Sequence, residues 1–85
     1  MEEQKIYDIK ETAQAFYEHQ IKTHIQQRQT DGSVFNYNGF ILKIYSDMIL
    51  LQDDKIRDPF PILFSSIVNI NPSKIKEVGD GQKTY

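Results

Sequence analysis

Histidine and cysteine, which most often bind transition metals, are scarce in this sequence. Its only histidines, His19 and His24, fall on either side of a predicted helix–strand junction, and there is no cysteine. A metal site needs further ligands at compatible positions, and the spacing supplies none. The carboxylates Asp53, Asp54 and Asp58 share one polar segment but lack the glycine and closing glutamate of an EF-hand loop. We therefore expect no bound metal and no cofactor.

The serines give no support for covalent catalysis. Ser33, Ser46, Ser65 and Ser66 have no neighbouring base that the sequence can place beside them. The chain also lacks a glycine-rich phosphate-binding loop. We expect a protein that is not an enzyme and that has no small-molecule substrate.

A polar strand face is a better candidate for ligand binding. Residues 21–29 alternate between apolar and polar side chains, which is typical of a half-buried strand. The polar face carries Lys22, His24, Gln26 and Arg28. Tyr37 and Tyr45 follow on the next strand, and aromatic and arginine side chains are what commonly hold single-stranded RNA. The alternative is a solvated outer face with no ligand.

Composition limits the class of partner. The 85 residues make one domain with 10 basic and 12 acidic side chains, a formal net charge of -2. A protein that coats duplex DNA usually has a basic excess, so that class is disfavoured. No apolar run is long enough to cross a bilayer, and the first ten residues contain no apolar signal segment. We expect a cytoplasmic protein with no membrane partner.

The first element predicted is a helix over about residues 8–20. An apolar stripe at helical spacing is formed by Ile6, Ile9, Ala13, Phe16 and Tyr17. So short a helix is not stable alone, because its few hydrogen bonds do not offset the cost of nucleation. We expect the stripe to cover one open end of a small barrel.

Two strands are predicted around a turn at Ser46–Asp47. The first covers 34–45 and is interrupted by Gly39, which predicts a bulge or a sharp bend. Beyond this glycine, Phe40, Leu42 and Ile44 are predicted on one face and Ile41, Lys43 and Tyr45 on the other. The second strand covers 48–51, is almost wholly apolar, and is predicted to be buried on both faces.

The last strands predict both the fold class and an assembly. Residues 60–64 form an apolar segment whose prolines indicate an edge strand, and 67–70 form a final short strand. The result is a mainly β protein, an N-terminal helix followed by a strongly bent five-stranded antiparallel SH3-like barrel. One domain covers 1–74, with the barrel at about 21–71 and a flexible tail at 75–85. An apolar edge strand favours pairing between copies.

Two segments resemble the motifs of the Sm-like family, and most closely its bacterial RNA-chaperone branch, Hfq. The first motif, a glycine, an alternating strand, an Asp turn and an apolar strand, corresponds to 39–51. The second corresponds to 64–74, which ends in Asn71-Pro72-Ser73-Lys74. Where Hfq carries Tyr-Lys-His, this chain has Leu63, Phe64 and Ser65. A divergent member, of a phage or other mobile-element type, fits this pattern.

The resemblance implies a homo-oligomeric ring of roughly five to seven copies that binds single-stranded RNA without catalysis. The fourth strand of one copy would pair with the fifth strand of the next. The implied interface residues are Phe60, Ile62, Leu63, Phe64, Ile67, Val68 and Ile70. The implied RNA-binding residues are Tyr45, Asp47, Met48, Phe64 and Ser65, beside the strand-face candidates Lys22, Arg28 and Tyr37. The alternative is a ring-forming structural or protein-interaction module without RNA binding.

Overall fold

The computed structural model describes residues 6–74 and contains one helix and five strands. In chain order these are α1 (Ile6–Glu18), β1 (Thr23–Arg28), β2 (Val34–Ile44), β3 (Met48–Asp53), β4 (Phe60–Leu63) and β5 (Ile67–Pro72). A short 3-10 turn, Phe64–Ser66, joins β4 to β5. The predicted tail at 75–85 lies outside the described residues.

The five strands form a single antiparallel sheet in the order β4-β3-β2-β1-β5. The prediction of a mainly β domain with an N-terminal helix is confirmed. The sheet is open, because β4 and β5 each have one strand neighbour in the described chain and do not pair with each other. The prediction of an edge strand at the prolines is also confirmed, since β4 is one of these two ends.

The core lies between α1 and one face of the sheet. Its fully or nearly fully buried apolar residues are Ile9, Ala13, Ile25, Ile41, Ile49, Leu51, Ile62, Phe64, Ile67 and Ile70. The helix contributes Ile9 and Ala13 and contacts β2, β5 and the 3-10 turn. As predicted, the apolar stripe of a short helix is stabilised by docking on the sheet rather than by the helix itself.

The helix ends two residues earlier than predicted, at Glu18. Gln20 adopts a left-handed conformation with φ of 53°, and the N–H of Ile21 donates to the carbonyl of Phe16 at 2.9 Å. This bond from beyond the helix to its last turn satisfies a carbonyl that would otherwise lack a partner. The polar run before β1 is therefore a helix-terminating turn, which the apolar spacing did not reveal.

Gly39 is the residue at which β2 changes partners. Residues 34–39 pair with β1, and residues from 39 onward pair with β3, so Gly39 lies opposite both Thr23 and Asp53. A Cβ at Gly39 would lie 2.7 Å from the carbonyl carbon of Gln52 and 2.8 Å from the Cα of Asp53. The glycine is needed because the β3 backbone approaches this closely.

The irregularity in β2 lies beyond the glycine, at Leu42. Ile41 pairs with Leu51 and Lys43 with Leu50, which leaves Leu42 as an extra residue. This bulge explains why Leu42 is 45% exposed, while Ile41 is buried and Ile44 packs against the core. The predicted alternation, with Leu42 and Ile44 on one face, is wrong because the bulge shifts the side-chain period by one residue.

Strand β3 is buried on one face only, which corrects the prediction that it is buried on both. Ile49, Leu51 and Asp53 are buried, whereas Met48 and Leu50 are half-buried. An apolar run is ambiguous here, because apolar residues on the outer face of a small domain are common.

Within residues 6–74, no helix has the length and apolar character needed to cross a membrane.

Candidate nucleic-acid interface

Two turns that are distant in sequence meet at one end of the sheet. The β2–β3 turn is closed by Tyr45, whose N–H donates to the carbonyl of Met48 at 2.8 Å. The N–H of Phe64, in the 3-10 turn, donates to the carbonyl of Asp47 at 3.0 Å. This bond continues the β3–β4 pairing, in which Met48 lies opposite Leu63. Tyr45, Asp47, Met48, Phe64 and Ser65, predicted from the family resemblance, are therefore brought to one place.

A shallow cavity of about 300 Å³ lies between these turns and the helix. We call it the two-turn cleft, and its lining residues are Lys10, Ser46, Asp47, Leu63, Phe64 and Ser65. Lys10 and Asp47 supply one charge of each sign. The cleft thus offers a cation, a carboxylate and two hydroxyl groups, which can hydrogen-bond a polar ligand, and only Lys10 attracts an anionic group.

Phe64 forms the floor of the cleft and is not available to stack with a base. It is only 3% exposed and belongs to the core. The Lys10 ammonium lies 5.6 Å from the centre of its ring, close enough for a cation–π attraction. This contact holds the Lys10 ammonium at the cleft, and the ring itself is buried.

The exposed aromatic surface beside the cleft is Tyr45. Its side chain is 42% exposed, and the Lys43 ammonium lies 5.6 Å from the centre of its ring. A tyrosine with a lysine beside it can stack on a base while the ammonium approaches a phosphate. Met48 is half-buried next to it. Tyr45 and Lys43 are thus the side chains best placed to contact a nucleotide.

Arg28 lies on the other side of the 3-10 turn. A second cavity, of about 250 Å³, is lined by Arg28, Gln29, Thr30, Ser65, Ser66, Ile67 and Val68. Ser65 lines both this cavity and the two-turn cleft, and Gln27 Nε2 donates to Ser66 Oγ at 3.1 Å. Ser65 therefore lies between the two-turn cleft and the cavity that Arg28 lines.

The other two strand-face candidates, Lys22 and Tyr37, are not brought to the cleft. Lys22 forms an ion pair with Asp54, at the end of the sheet where β3 leaves β2. Tyr37 is half-buried and packs edge-on against Phe60, with ring centres 5.1 Å apart. Burial raises the pKa of the Tyr37 phenol, and the nearby Asp53 carboxylate raises it further. Both side chains take part in contacts within the fold.

The predicted interface residues divide into core and surface groups. Ile62, Phe64, Ile67 and Ile70 are at most 5% exposed and pack inside their own chain. The members with accessible side chains are Leu63, which is 50% exposed, and the half-buried Phe60 and Val68. The core group could contribute to pairing between copies only through its backbone.

Two side chains at this site were not predicted from the sequence. Lys10 is on the helix, and nothing in its spacing indicates that it faces the β2–β3 turn. Lys43 was predicted only as a member of a strand face, although it lies two residues before Tyr45 in an extended segment. That spacing would have indicated a lysine–tyrosine pair.

A further cavity, of about 760 Å³, lies on the polar face of β1. It is lined by His24, Gln26, Asn38, Asn71, Pro72, Ser73 and Lys74. His24 Nε2 lies 3.0 Å from Asn36 Oδ1, and Asn69 Nδ2 donates to Gln26 Oε1 at 3.0 Å.

Among residues 6–74, no three histidine, aspartate or glutamate side chains are grouped so as to hold a metal ion.

No protein-family model, curated protein or solved structure matches this chain. What the protein does must therefore be inferred from its residues and their geometry.

Proposed function

We propose that this protein binds single-stranded RNA, without catalysis, as an Sm-like ring. The observation that supports this best is the junction of the two turns through the bond from Phe64 N–H to the Asp47 carbonyl. In Sm-like proteins the corresponding turns line the RNA pockets. Here the junction is flanked by the exposed Tyr45 and by Lys10 and Lys43. We interpret the open sheet as an Sm-like version of the SH3-like barrel.

Assembly into a ring would add together the small contributions that the individual clefts make to RNA binding. A single cleft of about 300 Å³ with one lysine on its lining offers few contacts. Repeated once per copy around a ring, the same contacts would act on one RNA strand at high effective concentration. This is how a chain with a net charge of -2 would hold a polyanion through local groups.

The two ends of the sheet provide the surfaces for such a ring. Phe64 N–H points to β3, so the alternation of the ladder turns the backbone groups of Pro61 and Leu63 outward. Pro61 has no N–H, and the Leu63 carbonyl already accepts from Ser66 Oγ at 2.8 Å. Leu63 is therefore the residue through which β4 would donate to a neighbouring β5.

Tyr45→Ala is expected to weaken RNA binding about tenfold, because a stacked base contributes roughly 1–3 kcal/mol. Binding is measured by fluorescence anisotropy with labelled U-rich and A-rich oligonucleotides at low and physiological salt. Tyr17→Ala is the matched control, since Tyr17 is similarly exposed at 38% but lies on α1 and does not line the two-turn cleft. The parent protein should bind saturably, and more weakly as salt rises.

Equal effects of Tyr45→Ala and Tyr17→Ala would contradict the placement of the site. Absence of binding by the parent at micromolar protein and low salt would contradict RNA binding itself. That result would favour the second candidate, a homo-oligomeric structural or protein-interaction module. The burial of Phe64, where an RNA-binding relative would present a stacking or charged group, is the observation on which this candidate rests.

Leu63→Lys is expected to reduce the native mass of the ring to that of smaller species. Its side chain is half exposed in the single copy, so the fold should persist while a charge enters the β4 contact. Ile62→Lys would not separate these effects, because Ile62 is only 1% exposed and supports the core. Leu42→Lys, at a residue 45% exposed on β2, is the matched control for native mass spectrometry. An unchanged mass for Leu63→Lys would contradict pairing through β4.

A further inference from the structure

Within residues 6–74, the first half of β2 has a backbone edge with no strand beside it. Residues 34–38 pair with β1 on one side, whereas pairing with β3 starts only at Gly39. Asn38 marks the limit of that pairing: its N–H donates to Asp53 Oδ2 at 3.0 Å, and its carbonyl accepts from Asp54 N–H at 2.8 Å. On the N-terminal side of Asn38, the loop after β3 diverges from β2.

The hydrogen-bonding direction of this edge follows from the alternation of an antiparallel ladder. Asn38 points its backbone groups away from β1, so Val34 and Asn36 do the same. The N–H and carbonyl groups of these two residues therefore face the side that β3 has left. We call the segment 34–36 the β2 edge.

The β2 edge is largely apolar and contains none of the residue types that usually protect a sheet edge. Val34 is 41% exposed and Phe35 50% exposed. Proteins commonly protect such an edge with proline, lysine or a covering loop. Strand β4 carries Pro61, but residues 34–38 contain neither proline nor lysine. An apolar edge with outward N–H and carbonyl groups matches the chemistry of another extended backbone.

We propose that the β2 edge pairs antiparallel with the β2 edge of a second copy, around a two-fold axis at Phe35. Val34 of each copy would lie opposite Asn36 of the other, and each such pair would exchange two backbone hydrogen bonds. Phe35 would face its own counterpart as a non-hydrogen-bonded pair, where side chains approach most closely. The surface is then self-complementary, as a two-fold interface requires.

A cavity beside the β2 edge has room for the turn that precedes β2 in the second copy. It has about 210 Å³ and is lined by Asn36, Tyr37, Asn38, Asp53, Asp54, Lys55 and Ile56. With Phe35 at the axis, Gly32 of the second copy falls opposite Asn38, so the turn at 31–33 enters this cavity. A small turn residue suits a space of this size.

Charge also favours a second copy as the occupant. Asp31 accepts hydrogen bonds from the N–H and the hydroxyl of Ser33, which lower the pKa of its carboxyl and keep it ionised. The cavity that receives this turn carries the exposed Lys55. The carboxylates beside Lys55 already have partners, since Asp53 accepts from two backbone N–H groups and Asp54 pairs with Lys22.

This pairing uses neither β4 nor β5, so it is independent of the proposed ring. If the ring forms, the β2 edge would join two rings; if it does not, the product is a simple dimer. The two proposals can therefore fail separately, because Leu63→Lys acts on β4 and substitutions of Phe35 act on the β2 edge.

Phe35→Cys tests the two-fold axis directly, because the natural chain contains no cysteine. Opposite residues of a non-hydrogen-bonded pair have Cα atoms about 4.5 Å apart, within the range of a disulfide. Under mild oxidation at micromolar protein we expect covalent dimers on a non-reducing gel. Leu42→Cys, similarly exposed on the same strand, should stay largely monomeric under these denaturing conditions. Cross-linking of Phe35→Cys no faster than that of Leu42→Cys would overturn the proposal.

Opposite charges at position 35 give a second, non-covalent test. Phe35→Lys and Phe35→Asp should each halve the native mass, because like charges would face each other across the axis. Mixing the two variants should restore the parent mass, because the facing charges are then opposite. Single variants that keep the parent mass, or a mixture that does not regain it, would contradict the pairing.

Discussion

Gly39→Val is expected to destabilise the fold by about 3 kcal/mol or more, a large share of the stability of so small a domain. A side chain at this position would overlap the carbonyl of Gln52 and come within 2.8 Å of the Cα of Asp53. These are backbone atoms paired in the ladder, so no side chain can rotate to make room. Urea unfolding followed by circular dichroism measures the change in the free energy of unfolding.

Gly32→Ala is the control for this substitution. Gly32 has φ of 93°, which disfavours any side chain, but a Cβ there would contact nothing within 4 Å. Its cost should be limited to backbone strain, roughly 1–2 kcal/mol. If Gly39→Val were no more destabilising than Gly32→Ala, the close approach of β2 and β3 would be wrong.

Phe64→Ala has the second largest expected effect, a loss of about 3–5 kcal/mol of stability. The ring is 3% exposed and packs in the core. The backbone N–H of the same residue donates the hydrogen bond to Asp47 that links the two turns. Removing it would leave a cavity between α1 and the 3-10 turn. The measurement is again urea unfolding, with the midpoint and the slope compared with those of the parent.

Phe64→Leu separates this structural role from a direct role in binding. Leucine keeps most of the buried volume but has no aromatic face, so the fold should survive with a loss below that of alanine. Because the Phe64 ring faces inward, RNA affinity of the folded variant should fall much less than that of Tyr45→Ala. A larger loss of affinity for Phe64→Leu than for Tyr45→Ala would mean that a base stacks on Phe64.

Local sequence patterns predicted most of the fold because they reflect local geometry. The alternation at Thr23 and Ile25 places both side chains in the interior, as it must when one face of a strand is solvated. The prolines at 59 and 61 predicted an edge strand, because proline cannot donate to a second neighbour. The helix stripe predicted the docking of Ile9 and Ala13.

The errors arose where tertiary contacts override the local pattern. The bulge at Leu42 depends on how β2 and β3 fit together, and no residue type in that segment indicates it. The helix end depends on the positive φ of Gln20, a conformation usually adopted by glycine or asparagine. Gly39 was recognised as a special position. A glycine is required there because the Gln52 backbone approaches closely, not because of a bulge.

The candidate site was only partly predictable for the same reason. The family resemblance selected the two turns, and in the structure Asp47 and Phe64 are hydrogen-bonded. It could not show that the Phe64 ring is buried, nor that Lys10 reaches the cleft from the helix. Both facts depend on how α1 docks on the sheet, which is a contact between residues distant in sequence.

Native mass spectrometry of the full chain, alone and with a U-rich or A-rich RNA oligonucleotide, would show whether the chain forms a ring that binds RNA. We expect an assembly built from rings of roughly five to seven copies that gains one RNA strand per ring, since the clefts of one ring act together. A single copy that binds no RNA, or a ring whose mass is unchanged by either oligonucleotide, would contradict it.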